Sequence, residues 1–285
     1  MKPWPLVLVL ALVLAGCSDD GPSDGPSATQ TPSATQTSTS TTPPTGPART
    51  PMLLGFAYEG CQGYDAEVLL PRDGLQALLP EGYTAMADAS ESSLARDDGI
   101  LRLTWLSCDA FTTPNARVEN TTFGEVSVRI EAPAAFPDEA GPDAWYRLRM
   151  LTAEDLLRTV WETAEYDVHA GAFSLQATAP VPGVGVGTWT ITSGDYGFSG
   201  LGARVSASPA SRDEVHFTEV ASGTLIWTVN VAPGTWTSIE GRPQVAADDP
   251  AAALLDAETT VVARQRLVTG AALTGIELWR EPTGP

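Results

Sequence analysis

From about residue 100 onward the sequence keeps returning to a two-residue period. Glu125-Val126-Ser127-Val128-Arg129-Ile130-Glu131 alternates polar and apolar without a fault. Thr188-Trp189-Thr190-Ile191-Thr192 does the same, and Leu225-Ile226-Trp227-Thr228-Val229-Asn230-Val231 is a further strand signal. A strand turns successive side chains to opposite faces, so this pattern fits antiparallel sheets and excludes a helix over these stretches. Ile100 to Leu106 adds a β-favouring apolar run, and two more strands, Thr259 to Val268 and Ala272 to Trp279, close the chain. Turns marked by Gly, Pro and Asp separate these runs, with Gly194-Asp195-Tyr196-Gly197 reading as a hairpin turn and Gly183 to Gly187 as a bend between strands. About ten to twelve strands are predicted.

Two helices interrupt the pattern. Arg72 to Leu79 lies between Pro71 and Pro80 and places Leu75, Leu78 and Leu79 on one face. Thr152 to Glu165 has Thr152 as a candidate cap, Glu154 and Asp155 at the positive end of the helix, and a stripe of Leu156, Leu157, Val160, Trp161 and Ala164. A third, Pro250 to Asp256, carries a weaker pattern.

The N-terminus has a different character. Lys2 precedes an apolar run from Leu6 to Gly16, too short to span a bilayer and right for the apolar part of a signal peptide. The run ends in Leu14-Ala15-Gly16-Cys17, which resembles a bacterial lipobox: residues 1–16 are removed and the Cys17 thiol is acylated with palmitate-type chains. Each buried methylene contributes ~0.8 kcal/mol to holding such an anchor in a membrane. Residues 18–50 hold no Leu, Ile, Val, Met or aromatic residue and repeat the hexad Pro-Ser-Ala-Thr-Gln-Thr at 26–31 and 32–37. Such a stretch cannot bury surface, so 17–50 reads as a lipidated cysteine and a disordered Ser/Thr/Pro-rich tether of ~30 Å mean reach. Residues 51–285 read as one folded domain. The expected location is the cell envelope, lipid-anchored, with the domain outside the cytoplasm and the membrane as its partner through the anchor.

That location bears on the other two cysteines. In an oxidising compartment Cys61 and Cys108 form an even pair and are expected to bridge. Two Cys and the distant His169 and His216 show no metal-ligand spacing, so no metal site is expected. The chain carries 35 acidic residues against 16 basic ones, a formal charge of −19, which excludes a basic nucleic-acid surface. Its one lysine is Lys2, so the domain has none.

Within the domain, a strand followed by Leu75-Gln76-Ala77-Leu78-Leu79-Pro80-Glu81-Gly82-Tyr83 resembles the early segment of acetoacetate decarboxylase-like proteins. Thr122-Phe123-Gly124-Glu125-Val126-Ser127-Val128 is similar to that family's aromatic-x-Glu strand, and Tyr146 to Met150 with the helix after it follows in the same order. The resemblance covers roughly residues 55–200. It implies a mainly β fold: a large antiparallel β-barrel with two or three short helices and an internal pocket. The family's chemistry is a Schiff base between a lysine and a ketone, the lysine being made nucleophilic by its surroundings. The family's lysine would fall near Tyr166-Asp167-Val168-His169, where this sequence has none, and the family's early arginine near Leu69. Of the family's site, Glu125 alone carries over.

The candidate pocket residues are therefore Glu125, with Arg129 on the same strand face, and His169 beside Asp167 and Glu165. Alternation puts Glu125, Ser127, Arg129 and Glu131 on one face, which the resemblance turns inward; a buried Glu125 then needs an arginine or hydroxyl partner. Glu125→Gln is expected to alter ligand binding and leave folding largely intact. His216, flanked by Glu214 and Phe217, is not taken into the site. No nucleophile elbow, zinc helix or phosphate loop is present, and no cofactor is expected. Three functions remain. The first is a surface-tethered, non-catalytic barrel that binds a small, largely apolar or neutral ligand. The second is an acid/base enzyme using the same pocket, and the third an envelope protein acting through its surface.

Overall fold

The structure is a computed structural model, and it describes residues 48–49, 54–88, 97–136, 143–171, 173–177, 187–193, 195–207, 212–231, 234–255, 261–268 and 272–280. The chain divides into two units, Met1–Pro44 and Thr45–Pro285. The signal, Cys17 and most of the tether lie outside the described residues. The folded unit is mainly β. Its strands are β1 (Ala48–Arg49), β2 (Leu54–Glu59), β3 (Gln62–Pro71), β4 (Asp98–Thr113), β5 (Ala116–Arg129), β6 (Ala144–Thr152), β7 (Val168–Ala170) and β8 (Phe173–Ala177). They continue with β9 (Gly187–Ser193), β10 (Tyr196–Ala207), β11 (Arg212–Val220), β12 (Gly223–Val231), β13 (Gly234–Gln244), β14 (Val261–Val268) and β15 (Ala272–Arg280). Two short helices, α1 (Arg72–Gln76) and α2 (Asp155–Thr163), and a 3-10 turn at Ala252–Leu254 complete the described elements.

Seven strands close on themselves. β2 pairs β4, which pairs β5; β6, β11, β12 and β15 follow, and β15 pairs β2 again. Every pairing in this ring is antiparallel except β6 with β11. A second run, β3-β14-β13-β10-β9-β8, extends from β4. The ring and this run meet at a fork: β2 and β3 lie on the same side of β4, one pairing its end and the other its beginning. The turn between them sits at Gly60, whose φ is +60°, and a Cβ there would fall 2.1 Å from an Asp109 carboxylate oxygen. Only glycine fits such a position without strain. The next residue, Cys61, is disulfide-bonded to Cys108 across the pair, with Cα atoms 3.9 Å apart.

The alternation read from the sequence acquires a different meaning here, because β4 and β5 are covered on both faces. Leu101, Leu103, Trp105, Val126 and Val128 pack with Ala66, Val68 and Leu70 of β3 and with Tyr196 and Phe198 of β10, outside the ring. The opposite face of the same strands looks into the ring. There Phe56, Tyr58, Phe111, Trp161, Tyr166 and Trp227 form an aromatic cluster that includes Met150 at its side, with neighbouring rings about 5 to 6 Å apart, centroid to centroid. A third group, including Tyr83, Ile130, Tyr146 and Phe217, forms a core of its own.

Several elements differ from expectation. Fifteen strands are described, more than predicted, because β1 and β7 are only two and three residues long and the glycine-broken β10 and β13 carry no sustained alternation of large apolar groups. β1 also reaches into the end of the stretch read as tether and pairs β15 through Ala48 and Arg49. The helix expected at 152–165 spans only Asp155–Thr163: Thr152 ends β6 instead, and its hydroxyl donates to Glu154. Of the expected stripe, Leu157 and Trp161 are buried, whereas Leu156 is 59 % exposed. The 72–79 helix stops at Gln76, with Leu75 buried, and the weak pattern at 250–256 forms only the 3-10 turn.

Candidate functional site: a buried ion cluster and a gap in the ring wall

Five ionisable side chains meet inside the ring, none of them more than 3 % exposed: Arg102 of β4, Glu125 of β5, Arg147 of β6, and Glu214 and His216 of β11. Their positions follow from the two-residue period. Glu125 shares a strand face with Ser127, and Glu214 and His216 share one with Thr218, while Val215 and Phe217 turn to an apolar core. Arg147 enters because β5 and β6 slip register between Val126 and Ser127, leaving Leu148 unpaired as a bulge.

Arg102 bridges the two carboxylates, with Nη2 3.0 Å from Glu125 Oε1 and Nη1 3.0 Å from Glu214 Oε2. Arg147 holds the other Glu125 oxygen through Nε and Nη2, each at 2.7 Å. The Ser127 hydroxyl donates to Glu125 Oε1 at 3.3 Å. His216 sits between these groups. Its Nδ1 is 3.3 Å from Glu125 Oε1 and 3.3 Å from Arg147 Nη2, and its Nε2 is 3.2 Å from Glu214 Oε2 and 3.3 Å from Arg102 Nη2. Both guanidiniums stack on indoles, Arg102 over Trp145 at 3.8 Å and Arg147 over Trp227 at 3.9 Å. A desolvated cation over an indole face gains about 2 kcal/mol.

The electrostatics of the cluster are those of mutual compensation. Burial by itself pushes the Glu125 carboxyl up, but His216, then Arg147 and Arg102, outweigh it and hold the group well below the usual carboxylate range. Burial likewise works against the Arg102 charge, and Glu214 and Glu125 more than restore it. Two guanidiniums face two carboxylates, with the His216 imidazole between them. Glu125 stays an anion at neutral pH and holds no proton to give. Burial also pushes the Tyr58 and Tyr166 hydroxyls up, so they remain protonated. Tyr166 accepts a hydrogen bond from Trp227 Nε1.

The other candidates from the sequence lie elsewhere. Arg129, two residues past Ser127, is half-buried at the end of β5 and pairs with Asp143 at 3.4 Å. His169 is on β7, outside the ring, with its imidazole edge-on to Tyr196 at 4.9 Å. Leu69 is 41 % exposed and points away from the interior. Sequence reasoning missed Arg102, Arg147, Glu214 and His216. A signal existed for the last two: Glu214-Val215-His216-Phe217-Thr218 alternates as strictly as the stretch around Glu125. Among the described residues no group of three or more His, Cys, Asp or Glu is arranged to hold a metal ion.

A second feature lies beside the cluster. β6 and β11 pair only over Ala144–Tyr146 and Val215–Phe217. Beyond that point β6 takes β7 as its neighbour, and the wall of the ring opens. A cavity of about 70 Å³ occupies the gap, lined by Arg147 and Arg149 of β6, Tyr166 and Asp167 of the loop after α2, and Thr218 and Glu219 of β11, among others. Arg147 therefore belongs to both the cluster and the gap. Glu219 at the rim accepts hydrogen bonds from Tyr83 at 2.5 Å and Thr224 at 2.9 Å.

No protein-family model matches the chain, and no curated protein matches it. Its structural neighbours include acetoacetate decarboxylases, an acetoacetate decarboxylase-like enzyme and a biosynthetic enzyme. They include an acetoacetate decarboxylase-like enzyme from Sphingomonas wittichii RW1, at 10 % identity and a TM-score of 0.49, covering 80 % of this chain and 91 % of that one. The enduracididine biosynthesis enzyme MppR complexed with pyruvate follows at 11 % and 0.46, covering 82 % and 88 %. An acetoacetate decarboxylase from Legionella pneumophila subsp. pneumophila str. Philadelphia 1 is similar at 11 % and 0.44, covering 84 % and 88 %. The assignment to a large, mostly antiparallel barrel stands on the strand order of the ring itself.

Proposed function

We propose that this chain is a lipid-tethered envelope protein whose decarboxylase-like barrel binds a small, largely apolar or neutral ligand without covalent chemistry. The observation that carries the reading is the self-compensation of the buried cluster: each carboxylate is held by arginine, and each arginine by carboxylate. A charged ligand entering beside it would leave a buried charge unpaired, which costs several kcal/mol. The aromatic wall and the absence of any lysine after Lys2 support the same reading. Schiff-base decarboxylation is not open to a domain without a lysine. The lipobox at Leu14–Cys17 and the polar tract behind it support export and anchoring, with Cys17 acylated.

An acid/base enzyme is the second reading, favoured by His216 standing within about 3.3 Å of two carboxylates. The test is a thermal-shift screen of the full chain in detergent against neutral, anionic and cationic small molecules, together with a turnover assay on the compounds that bind. Neutral binders that are recovered unchanged support the binding reading. Turnover abolished by His216→Gln favours the enzyme. Preferential binding of charged compounds, or of none, overturns the proposal.

A further inference from the structure

We infer that the gap between β6 and β11 is the ligand site of the barrel, and that it takes a small primary amide or urea-like molecule. This deepens the binding reading above and rests on it. Among the described residues the ion cluster and the aromatic groups meet inside the ring, and the gap beside them holds a cavity of about 70 Å³. At ~30 Å³ for each water, that is room for about two waters or one molecule of similar bulk.

The polar groups around the cavity set the chemistry of its occupant. Thr218 is 8 % exposed, and its hydroxyl makes no hydrogen bond. Arg147 is 2 % exposed, and its Nη1 makes none either, although its Nε and Nη2 are both committed to Glu125. Buried polar groups of this kind are satisfied by a partner in the great majority of proteins, and leaving them bare is costly. Both residues line the gap, and both can donate, so one end of the ligand is an acceptor such as a carbonyl oxygen. The rim carries carboxylates, Asp167 and Glu219, so the other end is a donor such as an amino group.

Net charge is excluded on both sides. Asp167 and Glu219 repel an anion, and the guanidiniums of Arg147 and Arg149 repel a cation. Arg147 already has Glu125 as counter-ion, and Arg149 has Asp167 at 2.8 Å. A neutral molecule with a carbonyl at one end and an amino group at the other meets every one of these conditions. Its carbonyl faces Thr218 and Arg147, and its amino group faces Glu219 and Asp167.

The probe is acetamide, with acetate as its charged isostere, added to the full chain in detergent and followed by saturation-transfer NMR on the methyl group. Saturable binding at about 1–10 mM is expected, weaker than the ceiling of about 0.04 mM for the best four-atom ligands. Acetate binds at least about tenfold more weakly. Thr218→Val, which keeps the shape and removes the hydroxyl, weakens acetamide by about three- to tenfold, the worth of one hydrogen bond. Leu148→Phe, which fills the gap, abolishes it. If Leu148→Phe does not fold, judged by its melting transition, Thr218→Val decides alone. Non-saturable acetamide binding, or binding indifferent to these substitutions, overturns the site. In that event, a neutral binder from the wider screen that persists in the variants leaves the binding reading standing, and the lack of any neutral binder removes both.

Discussion

Glu125 Oε1 stands 3.3 Å from His216 Nδ1, although β6 lies between their strands in the ring. The contact joins strands β5 and β11 across the interior of a seven-strand circuit, and the guanidiniums of Arg102 and Arg147 close over it from either side. The cluster is thus a tie within the ring, which makes its members matter for folding as well as for any ligand.

Glu125→Gln is the direct test of that tie. The substitution keeps shape and removes the one anion that both arginines share, leaving Glu214 to face two buried cations. Breaking a buried pair from one side costs about 3–5 kcal/mol. Urea unfolding of the variant at pH 7 is expected to show a loss of that size with an unchanged m-value. This revises the expectation from the sequence that folding would be largely unaffected, because the sequence did not show that Glu125 is enclosed by arginines. A loss below about 1 kcal/mol would mean that the cluster contributes little.

The same group predicts a pH dependence. The folded-state pKa of Glu125 is depressed below its ordinary value of 4.5. Its contribution is therefore fully present above the unfolded value and is lost as pH falls through the folded one. The stability gap between the natural chain and Glu125→Gln is expected to be constant from pH 7 to about 5 and to narrow progressively below about 4.5. Comparing the two chains cancels the effect of acid on the rest of this acidic protein. A gap that stays constant down to pH 3 would contradict the depressed pKa.

Reduction of the Cys61–Cys108 bridge provides a separate measurement. The cysteines are 47 residues apart in sequence, and the chain-entropy model gives about 4 kcal/mol for a loop of that length. Melting with a phosphine reductant, or of the Cys61→Ala/Cys108→Ala double variant, is expected to fall by about 10 °C. The ring should still form at low temperature, because its seven pairings do not depend on the bridge.

Helix α2 offers a contrast between two of its own residues. Trp161, 1 % exposed among Phe56, Phe111 and Trp227, should cost about 3–5 kcal/mol as Trp161→Ala. Leu156→Ala, at an exposed position, should stay within about 0.5 kcal/mol. Equal losses would mean that the helix buries a different face.

Anchoring is checked outside the folded unit. Mass spectrometry of the membrane fraction is expected to show an acylated peptide beginning at Cys17, and Cys17→Ser should release the protein into the soluble fraction. A soluble natural chain beginning elsewhere would remove the anchor.

Much of the strand framework was legible because its signal is local. Alternation at 125–131 and 225–231 depends only on neighbouring residues, and the Cys61–Cys108 pair needed only a count. A barrel was expected only through the resemblance; which strands close it was not legible, because β2 and β15 lie at opposite ends of the folded unit and nothing local announces that pairing. The charged face of β5 was equally ambiguous: Glu125 and Ser127 look the same in sequence whether they meet water or two arginines. The two histidines differ for a related reason. His169 was singled out because it falls near the position of the family's lysine, beside Asp167 and Glu165, whereas the partners of His216 come across space from β4, β5 and β6.

The fork at Gly60 and Cys61 has a mechanical consequence. A pull on the N-terminal segment enters the folded unit at β1 and loads the rungs that join β1 and β2 to β15. Those rungs can break in succession, and because β2 closes the ring, each one lost slackens the circuit. The peel halts at Cys61, where a covalent bond to Cys108 takes the tension and passes it into β4. Strand β3, which follows Cys61 in the chain, is bypassed, so traction at the N-terminus unlatches the barrel at one seam before it reaches the rest of the sheet.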